Sequence, residues 1–398
     1  MYQKGEGCEK DIEQAIEWYT KAGENGDSEA YLNLAFMYDH GDEVPVDKQK
    51  AVDFYQRSAD LGNAKAQFNL GTFYHRGLNG IAKDNNKAVE LYTMAAVKGL
   101  AQAQFNLGVI YSKGDDVIEK DSDKAVQFFA MAAEQGDADA LLNLGAMYAK
   151  GDGVPKNLEK TVELYEQAAE LNNPKAQFNL GIMYSKGQGV PKDNKKAAMY
   201  FEKASEQNLQ QAKFNLACML LKGDGVPEDK EKAIRLLQEA SDAGNAKAQF
   251  NLAVLYQKGD GVPKDMNKAF DLYNQSAMKN NSDSLLNLGV IYSEGTDEIE
   301  KNVQKSFECY QKAAALNNSK AMLYLGLLYQ QNLVTSDVVE RGTNSNDQRQ
   351  ALEWFTKSAE LGNPQAIFLL GKIYLNPDEH DDIVEQDLEK SEFYLRNA

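Results

Sequence analysis

The stretch Ala176-Gln177-Phe178-Asn179-Leu180-Gly181-Ile182-Met183-Tyr184 decides the fold. Ala176, Leu180, Met183 and Tyr184 fall at i, i+4, i+7 and i+8, one apolar face of an amphipathic helix. The phrase recurs as Phe68-Asn69-Leu70-Gly71, Phe105-Asn106-Leu107-Gly108 and Leu142-Asn143-Leu144-Gly145. Its leucine aligns as Leu34, Leu70, Leu107, Leu144, Leu180, Leu216, Leu252, Leu288, Leu325 and Leu370. The intervals are 36 or 37 residues, except for a last one of 45 that carries an insertion. A period of that length marks a helical array. No single unit can bury its apolar stripe alone, and stacking supplies the core.

Each unit reads as two helices. Helix A carries the phrase and stops at Gly41, Gly77, Gly114, Gly151, Gly187, Gly223, Gly259 or Gly295, since a helix that ends left-handed favours a residue without Cβ. A short loop follows, best preserved as Gly-Asp-Gly-Val-Pro at 151–155, 223–227 and 259–263. Helix B opens on a side-chain acceptor for its first-turn amides: Asp11, Asp47, Asp84, Asp121, Asn157, Asp193, Asp229, Asp265, Asn302, Asp347 and Asp387. Four residues on comes a small residue such as Ala88 or Ala125, and seven and eight on a bulky pair such as Trp18-Tyr19 or Phe54-Tyr55 that packs between helices. Helix B ends at Gly26, Gly62, Gly99, Gly136, Asn172, Asn208, Gly244, Asn280, Asn317 and Gly362, the two residue types that best tolerate positive φ.

The expected fold is all-α, a right-handed α-solenoid of stacked helix–loop–helix repeats forming one array over 1–398. Residues 1–27 are a partial first repeat, the end of helix A plus helix B. Residues 28–398 hold ten further repeats, with loop insertions at 332–346 and 376–386. The first unit lacks its opening turns and the last helix lacks its terminator, so the chain reads as a piece of a longer repeat protein.

Composition narrows the function. Lys+Arg 43 against Asp+Glu 60 leave a net charge of −17 on 398 residues, which repels phosphate backbones and argues against nucleic acid as a partner. No apolar run reaches the roughly 20 residues needed to span a bilayer, so no direct membrane insertion is expected. Met1-Tyr2-Gln3-Lys4 does not open a secretory signal. Cys8, Cys218 and Cys309 are too sparse for a disulfide framework and suit a reducing compartment, so a soluble cytoplasmic protein is expected.

Catalytic signatures are missing. There is no phosphate-binding loop and no nucleophile elbow. His40, His75 and His380 lie far apart in sequence; His40 and His75 occupy neighbouring slots near the end of helix A and read as solvated or groove-lining, and His380-Asp381-Asp382 offers a metal only one imidazole. The Gly-Asp-Gly loops lack the alternating ligands and distal Glu of a calcium loop and read as turns. Asp115-Asp116 sits in a loop without an apolar pocket to shift its ionisation. The expectation is no enzyme, no cofactor and no metal.

Ala-x-x-x-Leu-Gly-x-x-Tyr, Gly-x-Gly-Val-Pro and Asp-x-x-Lys-Ala recur in fixed order. Leu-Gly-x-x-Tyr stands intact at Leu70-Gly71…Tyr74, Leu107-Gly108…Tyr111, Leu180-Gly181…Tyr184 and Leu288-Gly289…Tyr292. Over its whole length the chain resembles the Sel-one-like repeat family, a slightly longer relative of the tetratricopeptide repeat. The resemblance implies a superhelical scaffold that binds other proteins, as in adaptor subunits of membrane-associated complexes and bacterial host-interaction factors. The secreted cysteine-rich branch pairs cysteines between the two helices of each repeat. The three cysteines here cannot do so, and the β-lactam-binding activity of that branch is not carried over. The ninth complete unit also departs from the pattern, with Tyr324 in place of the asparagine.

The residues of helix A opposite the Leu/Tyr stripe are Gln102, Asn106, Val109 and Lys113 in one unit, and Asp139, Asn143, Ala146 and Lys150 in the next. The resemblance implies that this face lines a concave groove. Across units it carries an asparagine row, Asn33, Asn69, Asn106, Asn143, Asn179, Asn215, Asn251 and Asn287, and a basic row, Arg76, Lys113, Lys150, Lys186, Lys222 and Lys258. A ladder of carboxamides can clamp an extended backbone, or it can bridge adjacent repeats. The cations attract carboxylates, or they complement the dipole at the end of helix A for about 0.3–1 kcal/mol. The expected function is an adaptor or scaffold holding a protein or extended peptide, an acidic one by preference. The alternatives are a small-ligand-binding or hydrolase-like member with a site near the C-terminal insertions, and a structural spacer in a larger complex.

Overall fold

The structure, a computed structural model, describes every residue except 1, 4, 6, 8, 42, 79, 332, 334–344, 377–385 and 398, together with the side chains of 345 and 346. Both insertions anticipated from the sequence, along with Cys8 and His380, lie largely or wholly outside the described residues. Within them there are twenty-one α-helices and no strand.

Two compact units divide the chain, Met1–Gln207 and Asn208–Ala398. The first holds α1 (Ile12–Glu24), α2 (Ser28–His40), α3 (Lys48–Asp60), α4 (Ala64–Arg76), α5 (Asn85–Val97) and α6 (Ala101–Lys113). It continues with α7 (Ser122–Glu134), α8 (Ala138–Lys150), α9 (Leu158–Glu170), α10 (Pro174–Lys186) and α11 (Asn194–Glu206). The second holds α12 (Gln210–Lys222), α13 (Lys230–Asp242), α14 (Ala246–Lys258), α15 (Met266–Ala277) and α16 (Ser282–Glu294). It ends with α17 (Val303–Ala315), α18 (Ser319–Gln330), α19 (Ser345–Glu360), α20 (Pro364–Leu375) and α21 (Leu388–Asn397). Even-numbered helices are the A helices and odd-numbered ones the B helices. In each compact unit every helix packs on the next along the chain, the arrangement of an all-α solenoid.

The terminators behave as their chemistry requires. Every anticipated Gly and Asn at the end of a helix has positive φ, for example 75° at Gly41 and 60° at Asn172. Gly114 and Gly295 differ in ψ, which is extended rather than left-handed. Their loops, like 77–84, hold one residue more than 151–157, and that residue accounts for the 37-residue intervals. Asp115 closes its longer loop by accepting the Val117 and Ile118 amides at 2.8 and 2.7 Å, and Thr296 Oγ1 accepts those of Glu298 and Ile299.

The core follows the period. Leu34, Leu70, Leu107 and Leu180 are wholly buried, as are the small residues four after the helix B cap, Ala51, Ala88 and Ala125. The eighth position after that cap is the large buried one: Tyr55, Tyr92, Phe129, Tyr165 and Phe201 in the first compact unit. The rings of Tyr92, Phe129, Tyr165 and Phe201 lie against the glycine that follows the anchor leucine, while Ala35 stands at that place in the repeat of Tyr55. A Cβ on Gly145 would stand 2.6 Å from the Tyr165 ring, so glycine sets how closely α8 and α9 approach. The seventh position instead stacks on the tyrosine of its own repeat: Phe54 on Tyr38, Phe128 on Tyr111, Tyr200 on Tyr184.

Two expectations need correction. Trp18 is 56% exposed, and among the described residues no other ring packs on it; only Lys21 lies over it, 5.2 Å from its centroid. Asp347 does not cap α19 but lies inside its first turn, buried, because that helix begins at Ser345. The remaining anticipated helix B caps do accept a first-turn amide, as Asp121 does from Lys124 and Asp387 from Lys390.

The Gly-Asp-Gly loop is more than a turn. A Cβ on Gly153 would lie 2.5 Å from the Ser122 carbonyl oxygen, so the loop runs against the start of the preceding helix B. Asp152 fastens it there, accepting Ser122 Oγ at 2.5 Å and Lys120 Nζ at 2.8 Å. Asp260 takes Lys230 Nζ at 2.7 Å in the same way. A second fastening lies at the other end of the repeat. Asn63 and Asn173 cap α4 and α10 with Oδ1 and donate Nδ2 to Glu29 and Asp139 of the preceding A helix, each at 2.9 Å.

Candidate partner-binding face

All eight residues of the asparagine row are half-buried on the A helices. Their partners depend on what stands fourteen residues earlier, at the eighth position of the preceding helix B. Behind three of the tyrosines the carboxamide meets the phenol, Asn106 with Tyr92, Asn179 with Tyr165 and Asn287 with Tyr273, whereas Tyr19 and Tyr55, behind Asn33 and Asn69, donate to Gln3 and Asp39 instead. Burial pushes these phenols up, Tyr273 to about 12, and the carboxamide hydrogen bond pulls them partly back. Behind Phe129, Asn143 turns to its own helix and donates to the Asp139 carbonyl at 2.7 Å. Behind Leu237, Asn251 reaches the Cys218 sulfur of the neighbouring A helix at 3.4 Å. Part of the row therefore ties repeats together, while each carboxamide keeps hydrogen-bonding capacity in reserve.

The basic row is different. Arg76, Lys113, Lys150 and Lys186 of the first compact unit are exposed at the C-terminal ends of their helices, and so are Lys222 and Lys258 of the second. None of the six forms an ion pair among the described residues, whereas Lys48, Lys120, Lys124, Lys160 and Lys230 each hold a carboxylate within 3.0 Å. In α16 the equivalent residue is Glu294, which ends the row.

A cavity of about 580 Å³ opens among α2, α4 and α6, and it brings Asn69, Asn106 and Arg76 together. Its floor is aromatic. The Tyr55 ring meets Phe36 edge-on at 5.8 Å and Phe73 at 5.4 Å. His40 and His75 also line it, as does Val109. Tyr55 donates to Asp39 Oδ2 at 3.4 Å, and burial together with that carboxylate raises its pKa far above the ordinary phenol value. Lys48 holds the other Asp39 oxygen at 2.8 Å. His75 Nδ1 lies 3.0 Å from Asn85 Oδ1, and Asn85 in turn donates to Asp115.

The asparagine and basic rows are visible in the sequence, but this hollow is not. Phe36, Thr72 and Val109 share the second place after the anchor leucine, and short Thr72 between two larger residues was the available signal. Among the described residues no group of three or more His, Cys, Asp or Glu could hold a metal ion. No helix within them is long and apolar enough to cross a membrane. Cys218 and Cys309 are free.

Stacked helix pairs joined by repeated fastenings place the protein among the helical-repeat solenoids. The chain belongs to the Sel1 repeat family, whose model matches residues 1–27, 28–63, 64–100, 101–137, 138–173, 174–209, 210–245, 246–281, 282–318, 319–363 and 364–398. Sel1-repeat proteins generally mediate protein–protein interaction, and the family is typically a non-enzymatic scaffold. The chain is similar to a protective antigen present in uropathogenic Escherichia coli strains that displays an SLR fold. The two share 31% identity and a TM-score of 0.82, over 96% of this chain and 78% of that one. A Sel1 repeat protein from Oxalobacter formigenes is similar at 28% identity with a TM-score of 0.62, over 79% of this chain and 90% of that one. No curated protein matches the chain in sequence.

Proposed function

We propose that the protein is a non-catalytic interaction scaffold whose helix A face holds an extended, acidic segment of a partner polypeptide. The observation that carries this reading is the row of exposed cations without ion pairs, Arg76, Lys113, Lys150 and Lys186, on a chain of net charge −17. Complementing the helix dipole accounts for a cation at each of these ends, but it does not neutralise the cation, which stays available to a carboxylate. Glu294 at the same place in α16 also shows that the dipole does not dictate the residue. The spare hydrogen-bonding capacity of the asparagine row supplies donors and acceptors for the partner's backbone. The overall negative charge opposes nucleic acid, and the free, half-buried Cys218 and Cys309 suit the cytoplasm.

The test is fluorescence anisotropy with a labelled poly-glutamate peptide. Wild type is compared with a variant carrying Lys113→Glu, Lys150→Glu and Lys186→Glu. Affinity should fall at least tenfold in the variant, and wild-type binding should weaken with added salt because the contacts are exposed. Equal affinity of the two proteins would remove the basis of the reading.

A further inference from the structure

The cavity among α2, α4 and α6 gives the helix A face a point of registration. We propose that it is an anchor site for an aromatic side chain of the partner segment, with a carboxylate one or two residues away seated on Arg76. This rests on the acidic-segment reading above and adds the residue that fixes where along the array the segment sits.

Size and surface fit an aromatic ring. The volume of about 580 Å³ falls within the roughly 300–1,000 Å³ of ordinary binding pockets, large enough for a ring and its flanking backbone. The walls are rings that already meet edge-to-face, Phe36 on Tyr55 and Tyr55 on Phe73, an arrangement that a further ring extends. Phe36 is 36% exposed, so apolar surface remains for an incoming group to cover.

Charge selects the flanking residue. Asp39, the carboxylate lining the cavity, is held by Lys48 and Tyr55, and the protonatable ring of His40 lies 3.9 Å from it. His75 is hydrogen-bonded to Asn85. The charge left at the mouth is the Arg76 guanidinium, which has no ion pair among the described residues. Thr72 and Arg76 stand four residues apart on α4, about 6 Å of helix rise, and two residues of extended chain cover that distance. The neighbouring hollow at Tyr74 and Ile81 sets Asp84, Asp115 and Asp116 against the single cation Lys83 and opposes an acidic ligand, so the α2–α4–α6 cavity is the better suited to the same segment.

The experiment is selection of a random dodecapeptide display library on the immobilised full chain, followed by anisotropy with the leading synthetic peptide. The enriched peptides should share Phe, Tyr or Trp with Asp or Glu within two positions. Replacing the aromatic residue by Ala in the peptide should weaken binding at least tenfold. Val109→Trp, which fills the cavity, and Phe36→Ala, which removes a wall, should each do the same. Circular dichroism melts check that both variants fold, and the exposed Phe36 position carries the test if Val109→Trp does not. An acidic consensus without an aromatic residue, or binding untouched in Phe36→Ala, overturns the anchor and leaves the acidic-segment reading standing. A consensus lacking acids, or no enrichment at all, overturns both.

Discussion

Replacing Asn179 by alanine would strand a phenol. Tyr165 on α9 is buried and burial raises its pKa, while the Asn179 carboxamide on α10 hydrogen-bonds the same hydroxyl and acts in the opposite direction. Without that partner a buried polar group goes unsatisfied, a loss of about 1–3 kcal/mol. Tyr165→Phe should be milder. It leaves Asn179 the alternative that Asn143 already uses behind Phe129, donation to the carbonyl four residues back, and should cost less than about 1 kcal/mol. The double variant should then be more stable than Asn179→Ala alone, because no hydroxyl is left to strand.

Differential scanning calorimetry of the four proteins measures this cycle. The compact unit that holds both residues spans Met1–Gln207, and for cooperative units of that size 1 kcal/mol shifts the melting temperature by roughly 2–4 °C. Asn179→Ala should therefore lower the transition by roughly 2–12 °C, with the double variant recovering part of the loss. Strict additivity, or an unshifted transition for Asn179→Ala, would refute the bridge and leave the asparagine row free for a ligand.

Three further outcomes are expected. Leu144→Ala should cost about 2–5 kcal/mol, read as a lower urea midpoint, since the side chain is almost wholly buried between α8 and its neighbours. Gly153→Ala should destabilise more than Gly26→Ala in thermal melts. Both have positive φ, but only at Gly153 does the added Cβ meet backbone, whereas Gly26 has nothing within 4 Å. The Asp152 carboxyl is held below its ordinary pKa by Lys120 and Ser122, so its contribution is present above the unfolded value of about 4 and is lost as pH falls through the folded one. The gap in melting temperature between wild type and Asp152→Asn should thus be widest near neutral pH and close in acid; a gap independent of pH would contradict this.

The period, the terminators and the eighth-position rings were legible because each is a local requirement repeated many times. Positive φ at Asn172 demands the same chemistry as at Gly136, and a wholly buried Leu70 the same as Leu107. The fate of Trp18 was not legible. The seventh position is buried only as far as a ring of its own repeat covers it, and residue identity does not report that cover. The asparagine partners were hidden for a related reason, since Asn106 and Asn143 look alike in sequence and differ only through Tyr92 and Phe129 in the preceding helix. Asp347 misled because a capping residue type also suits the first turn inside a helix. The cavity escaped because it depends on Phe36, Thr72 and Val109, a position the repeats do not hold constant.

That variable position has a consequence for specificity. In the first compact unit the constant polar residues are committed to holding neighbours: Asn63 and Asn173 to the preceding A helix, Asp152 to the preceding B helix, Asn106 and Asn179 to buried phenols. Beside the capacity left in the asparagine row, two positions of helix A face outward with little commitment, two and six residues after the anchor leucine, Thr72 alone at the second taking a phenol, that of Tyr92. The sixth is nearly uniform in sign, from Arg76 through Lys186, whereas the second runs Phe36, Thr72, Val109, Ala146 and Ile182. A uniform charge attracts acidic segments without distinguishing their registers, because each repeat offers the same potential. Shape at the second position differs from repeat to repeat and can distinguish them. Substitutions at the sixth position should therefore change affinity for acidic segments in general, and those at the second should change which segment binds and where it begins.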